Sequence, residues 1–204
     1  MQMDFDSYQT ILHPSDEVLF KDRNSKFFGY AFPIRNQEQV KAHIDNLKKQ
    51  HHSARHWCYA YQIGVEKTVF RANDDGEPNN SAGMPIYGQI QSYDLTNILI
   101  VVVRYFGGTK LGVGGLINAY RSAAKMALEK SRVVERTINK TLLVSCTYDH
   151  LNKVMRIIKE KNQKVLEQDM HLKCQIKIQV RLKEAEAIYG YMEKLHHIQV
   201  EYLD

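Results

Sequence analysis

The chain has 204 residues, 44% of them hydrophobic and 25% charged, with a formal net charge of +5. That length allows one or two domains, and that apolar fraction allows packed cores. The longest apolar run, Ile98 to Val103, suits a buried strand and falls far short of the roughly 18 residues of a membrane span. The N-terminal MQMDFDSYQT is acidic and polar, without the basic and apolar regions of a secretory signal, so no membrane association and a cytoplasmic location are expected. Three cysteines, Cys58, Cys146 and Cys174, are odd in number and far apart, which argues against a disulfide framework. No CxxC pair is present, which excludes a cysteine-rich zinc module.

Charge is unevenly distributed. From Arg104 to Lys140 there are eight Lys/Arg against two acids, a local +6, whereas Thr141 onward has ten against nine, a local +1. A field concentrated mid-chain attracts phosphate-bearing partners, although a solvated basic helix face has the same composition.

Along the chain, Phe27 to Ile34 reads as a strand ending at a proline. Asn36 is a plausible cap for a helix to Gln50, where Val40, Ile44 and Leu47 keep helical spacing. His56 to Gly64 is aromatic and strand-like, and Thr68 to Arg71 extends it after a turn. Asn73 to Gly83 is packed with turn formers. A helix is expected from Met84 to Tyr93. Asn97 to Tyr105 is a strand whose unbroken apolarity predicts burial on both faces. A glycine-rich loop follows, then a helix from about Leu116 to Lys130 with Leu116, Tyr120, Ala123, Ala124, Ala127 and Leu128 in one stripe. The remainder reads as a strand (141–147), a helix capped by Asp149, two strands (164–170 and 173–181), a helix (185–195) and a strand (198–203). That order, β-α-β-β-α-β, is the ferredoxin-like split βαβ unit. The expected class is α+β with two domains, 1–137 and 138–204.

Two segments carry candidate chemistry. The first is Arg104-Tyr-Phe-Gly-Gly-Thr-Lys-Leu-Gly-Val-Gly-Gly-Leu116, with five glycines between a buried strand and a helix. Gly107, Gly108, Gly112, Gly114 and Gly115 let a backbone or ligand approach closely, and a helix N-terminus presents unpaired N–H groups. With Arg104, Lys110, Arg121 and Lys125 nearby, the segment makes an anion or RNA cradle; tight turning and helix-on-sheet packing are the other account of the glycines. Neither the P-loop nor the dinucleotide fingerprint fits, because Val113 and Gly114 follow Gly112 and Ile117 stands where a small residue is needed. No cofactor is therefore expected.

The second segment is the acidic turn Asp74-Asp75-Gly76-Glu77-Pro78. Asp74, Asp75 and Glu77 suit a divalent metal through oxygen ligands. They equally suit capping the next helix or pairing with Arg71 or Arg104. His51, His52, His56 and Cys58 cluster in sequence, but no HExxH pattern accompanies them. His56 with Asp75 or Glu77 is a candidate acid/base set. A buried, hydrogen-bonded histidine is the alternative.

Taken in order, ARHWCYAY (Ala54–Tyr61), DDGEP with a later SAG (Asp74–Gly83) and VVVRYFGGTKLGVGGL (Val101–Leu116) resemble the YigZ/IMPACT family. Ser25-Lys26-Phe27-Phe28 is similar to that family's Ser-(Lys/Arg)-Phe entry strand. The resemblance covers nearly the whole chain. It implies a ribosomal-protein-S5 domain-2-like first domain and a small second domain similar to an elongation factor's C-terminal domain. The family usually has Ser-Gly-Thr after DDGEP, where this chain has Asn79-Asn80-Ser81. Eukaryotic members are linked to translational control, so the resemblance implies a translation-linked binding protein. Its expected partners are RNA, the ribosome or a translation-associated protein, and no reaction is prescribed. The alternative is an enzyme acting on a phosphorylated or peptide-like substrate through the acidic turn and the glycine-rich loop.

Overall fold

The computed structural model describes residues 6–171 and 173–203. It divides into two compact units: residues 8–136, and the described residues from 137 onward together with Asp6 and Ser7. In chain order, the larger unit is built from β1 (Ser7–Ile11), β2 (Val18–Asp22), β3 (Ser25–Pro33), α1 (Gln37–Gln50), β4 (His56–Ile63) and β5 (Val69–Asn73). Next come α2 (Gly83–Ser92), β6 (Ile98–Tyr105), α3 (Gly112–Glu129) and β7 (Val133–Thr137). Strands β1 and β7 pair by themselves, while the main sheet has the order β2-β3-β6-β4-β5. All four pairings of that sheet are antiparallel.

Strand β6 is the centre of the main sheet, and its apolar run is buried on both faces as the sequence predicts. Ile98, Ile100 and Val102 join the core shared with α2 and α3. Leu99, Val101 and Val103 join the core on the other face, with Val40 and Leu47 of α1. Because side chains alternate along a strand, one uninterrupted run supplies two cores. Helix α1 starts where expected, with the Asn36 side chain accepting the Gln39 N–H at 3.0 Å.

Three strands lie outside the elements predicted from the sequence. Hairpin β2–β3 turns through Arg23 and Asn24, with φ of 42° and 66°. That pair of positive values is the two-residue turn that matches strand twist, and Asn24 is its only sequence signal. Strands β1 and β7 are short, and their partners lie more than a hundred residues apart in sequence. Helix α3 begins at Gly112, earlier than the expected Leu116, so Gly112, Gly114 and Gly115 belong to the helix and not to the loop before it.

The smaller unit runs β8 (Asn139–Cys146), α4 (Tyr148–Glu160), β9 (Lys164–Met170), β10 (Cys174–Arg181), α5 (Leu182–Glu193) and β11 (Ile198–Tyr202). Its four-stranded sheet has the order β11-β8-β10-β9, antiparallel throughout. Alternate residues Cys174, Ile176, Ile178 and Val180 of β10 face the helices and are fully buried. Thr147, not Asp149, occupies the cap of α4; Asp149 lies in its first turn, where its charge still suits the helix dipole.

Helix α3 packs on β3 at backbone distance. A Cβ added to Gly29 would stand 2.6 Å from the Ala123 carbonyl oxygen and 2.9 Å from Val18 Cγ2. Gly29→Ala is expected to cost about 1–3 kcal/mol by overpacking. Urea unfolding should show a lower midpoint at unchanged slope. An unchanged midpoint would mean that α3 is not held this tightly.

Candidate functional site

The acidic turn and the end of β6 meet inside the protein. Arg104, the last inward-facing residue of β6, is 5% exposed, and its Nη1 donates to Glu77 Oε1 at 2.6 Å. The Tyr120 hydroxyl of α3 donates to the same carboxylate oxygen at 2.8 Å. The guanidinium lies between two rings, its carbon 5.4 Å from the Phe27 centroid and 5.5 Å from that of Phe106. The Cys58 thiol sits 3.2 Å from Tyr120 Oη and 3.0 Å from the Asp74 carbonyl oxygen. Burial pushes the pKa of both Tyr120 and Cys58 well above their ordinary values, so neither ionises near neutral pH.

The remaining turn carboxylates are also engaged. Asp74 Oδ1 accepts the Ala82 and Gly83 N–H groups at the start of α2, and its Oδ2 accepts the Asn80 N–H at 2.9 Å. Asp75 Oδ2 accepts the Trp57 N–H at 2.7 Å. Two of the alternatives open in the sequence, helix capping and pairing with Arg104, are thus both realised. The carboxylate oxygens of Asp74, Asp75 and Glu77, the metal candidates of the sequence, are bonded to main-chain N–H groups and to Arg104. No metal-holding cluster of His, Cys, Asp and Glu occurs among the described residues. His56 Nδ1 meets the main-chain oxygen of Asp75 at 2.9 Å, and no hydrogen bond joins it to a carboxylate, so the expected acid/base set is not assembled. Asn80 adopts φ of 60°, a left-handed conformation that asparagine tolerates. Ser81 turns its hydroxyl inward onto the Pro78 carbonyl at 2.6 Å.

The glycine-rich segment divides into two roles. Gly107 is there for packing: a Cβ would overlap the Asn24 backbone at 2.1 Å. Gly108 and Gly112 adopt φ of 86° and 73°, which few other residues tolerate. Gly115 lies against Leu111, whose Cβ would be 3.0 Å away. Gly114 is different. It is exposed, lies in the first turn of α3, and a Cβ added there would meet nothing within 4 Å. The N-terminus of α3 lacks a side-chain cap. Gly114, Asn118, Arg121 and Lys125 follow one another at helical spacing on its exposed face, with Lys110 exposed just before it. Arg104, by contrast, is committed to Glu77 and is corrected from a phosphate contact to an internal counter-ion.

A second polar network was not legible in the sequence. On the α1 face, His51 Nε2 lies 2.5 Å from Tyr30 Oη, and its Nδ1 lies 3.0 Å from Tyr105 Oη. The Tyr30 hydroxyl donates to Glu17. Since that proton goes to Glu17, a neutral His51 protonated on Nε2 donates to Tyr30 and accepts from Tyr105. Only helical and strand periodicity hinted at these residues, and neither places Glu17 beside Tyr30.

Two measurements test these networks. Glu77→Gln leaves Arg104 buried without a counter-ion and should cost about 3–5 kcal/mol in urea unfolding. Adding Arg104→Met should recover part of that loss; no recovery would show that the two residues are uncoupled. Burial lowers the pKa of His51, opposed by the Glu17 charge. The unfolded chain therefore binds the proton more readily, and stability falls as pH drops below about 6.5. His43 is lowered by burial as well and acts with the same sign. His51→Gln should flatten the dependence of the urea midpoint between pH 7.5 and 5.5, and an unaltered slope would assign the titration elsewhere.

The Impact N-terminal domain profile matches residues 23–128. The Bacillus subtilis protein described as IMPACT family member YvyE is 32% identical over 189 residues, covering 93% of this chain and 87% of that protein. A solved structure described as that of a hypothetical protein superposes with a TM-score of 0.74 at 24% identity and covers 98% of each chain, which establishes the fold. The two-domain translational regulator Yih1 matches at 26% identity over 58% of this chain and 46% of that one, with a TM-score of 0.37. Both the domain match and the near full-length similarity to YvyE place this chain in the IMPACT family.

Proposed function

We propose that this protein is a non-catalytic, translation-linked module that binds single-stranded RNA in a ribosomal setting through the N-terminus and outer face of α3. The observation that carries this reading is Gly114. Glycine in a helix costs roughly 0.5–1 kcal/mol relative to alanine. Nothing in the fold occupies the space of its missing side chain, so close approach by a partner accounts for it best. Around it are the unpaired N–H groups of an uncapped helix start and the exposed Lys110, Arg121 and Lys125. Lys125 has Glu129 at 3.7 Å, but an exposed pair of that kind holds its charge only weakly. Phe106, 47% exposed and backed by Arg104, offers a ring for stacking. The family's link to translation supports the same reading.

The strand orders support the finer fold assignment. We read residues 8–136 as S5 domain-2-like and the β-α-β-β-α-β unit, with its order β11-β8-β10-β9, as ferredoxin-like. An enzyme acting on a phosphorylated or peptide-like substrate would need a turn carboxylate released from its present bonds.

The test is fluorescence anisotropy of a labelled oligouridylate at several salt concentrations. Affinity should fall steeply with salt, and Lys110→Ala with Arg121→Ala should reduce the slope of log K against log[salt] by about 1.4, roughly 0.7 per phosphate contact. Undiminished affinity in the double variant would reject this surface.

A further inference from the structure

We infer that the opposite face of the main sheet, along β4 and β5, is a stacking platform for single-stranded RNA bases, with Trp57 and Tyr59 as the stacking rings. This inference rests on the RNA reading above and names a second surface, distinct from α3. Trp57, Tyr59 and Tyr61 alternate along β4 and belong to the α1-side core, away from α2 and α3. Tyr61 is buried, while Trp57 and Tyr59 are half-buried and reach the surface. Tyr59 and Tyr61 hold parallel planes, 5° apart with centroids at 6.4 Å, and Trp57 precedes them on the same face of the strand.

Three cations stand beside the row, and the exposed carboxylates of Glu38 and Asp45 lie on α1. The Lys48 ammonium lies 5.6 Å from the Trp57 ring centroid. Arg71 stands opposite Tyr61 in the β4–β5 register and is exposed. Arg55, also exposed, immediately precedes β4. Neither β4 (HWCYAYQI) nor β5 (VFRAN) contains an acidic residue. The neighbouring Asp75 carboxylate is bonded to the Trp57 N–H. Flat rings in a row, flanked by cations and carried on a rigid sheet, fit bases and phosphates together.

Trp57 is the single tryptophan of the chain, so its emission reports on this face alone. Titration with a twelve-residue oligouridylate should quench that emission saturably, with the same midpoint as anisotropy of the labelled oligomer. Arg55→Ala with Arg71→Ala should weaken binding about tenfold, and Tyr59→Leu, which keeps apolar bulk but removes the π face, by a similar factor. Heparin should leave the emission nearly unchanged. Binding by anisotropy without quenching, and with these variants unaffected, overturns the platform while leaving the α3 surface standing. Equal quenching by heparin overturns base stacking in favour of a general polyanion surface. No binding by either readout overturns the RNA reading itself.

Discussion

The ion pair between Arg104 and Glu77 ties three elements into one body. Arg104 comes from the end of the central strand, Glu77 from a loop, and Tyr120 from the helix that covers the sheet. Isolated, each polar group would cost several kcal/mol to bury; together they offset much of that cost, although Arg104 Nε finds no hydrogen-bond partner. The Phe27 and Phe106 rings complete the enclosure by flanking the guanidinium. The acidic turn therefore has an architectural task. Its carboxylates start α2, hold the beginning of β4 and neutralise the buried cation.

That internal use of charge determines what is left for the outside. With Arg104 consumed, the solvent-facing cations within and just after the glycine-rich segment include Lys110, Arg121 and Lys125. The glycines separate by cause. Gly107 is demanded by the backbone of the β2–β3 turn and Gly108 and Gly112 by their φ values, whereas Gly114 is demanded by nothing within the fold. On the other face, aromatic residues extend beyond the cover of α1 beside Arg55 and Arg71. The two surfaces proposed above thus lie on one layered unit, one on the helix that covers the sheet and one on its own strands.

Much of the architecture was legible in the sequence because its signals are local. The cap at Asn36, the period of α1, the doubly apolar β6 and the alternation of β10 each follow from spacing over a few residues. The strands that escaped, β1, β2 and β7, are short and owe their identity to partners, through pairings that periodicity does not encode. The start of α3 escaped for a different reason. Glycine has low helix propensity, so a Gly-Val-Gly-Gly run reads as loop until packing of Leu116 and Tyr120 selects the helix.

The site shows the same division. By itself the sequence determined which residue types are present, the family they resemble, and metal, acid/base, capping and ion-pairing roles open to the acidic turn. Only the tertiary structure shows which bonds the turn makes, because residues 77, 104 and 120 are brought within hydrogen-bond distance by three different elements. It likewise decided that His51 meets Tyr30 and Tyr105 while His56 meets a main-chain carbonyl, although the two histidines are five residues apart. Composition reports how much charge a chain carries; whether a given charge is neutralised inside or offered to a partner depends on which side chains the fold sets against it.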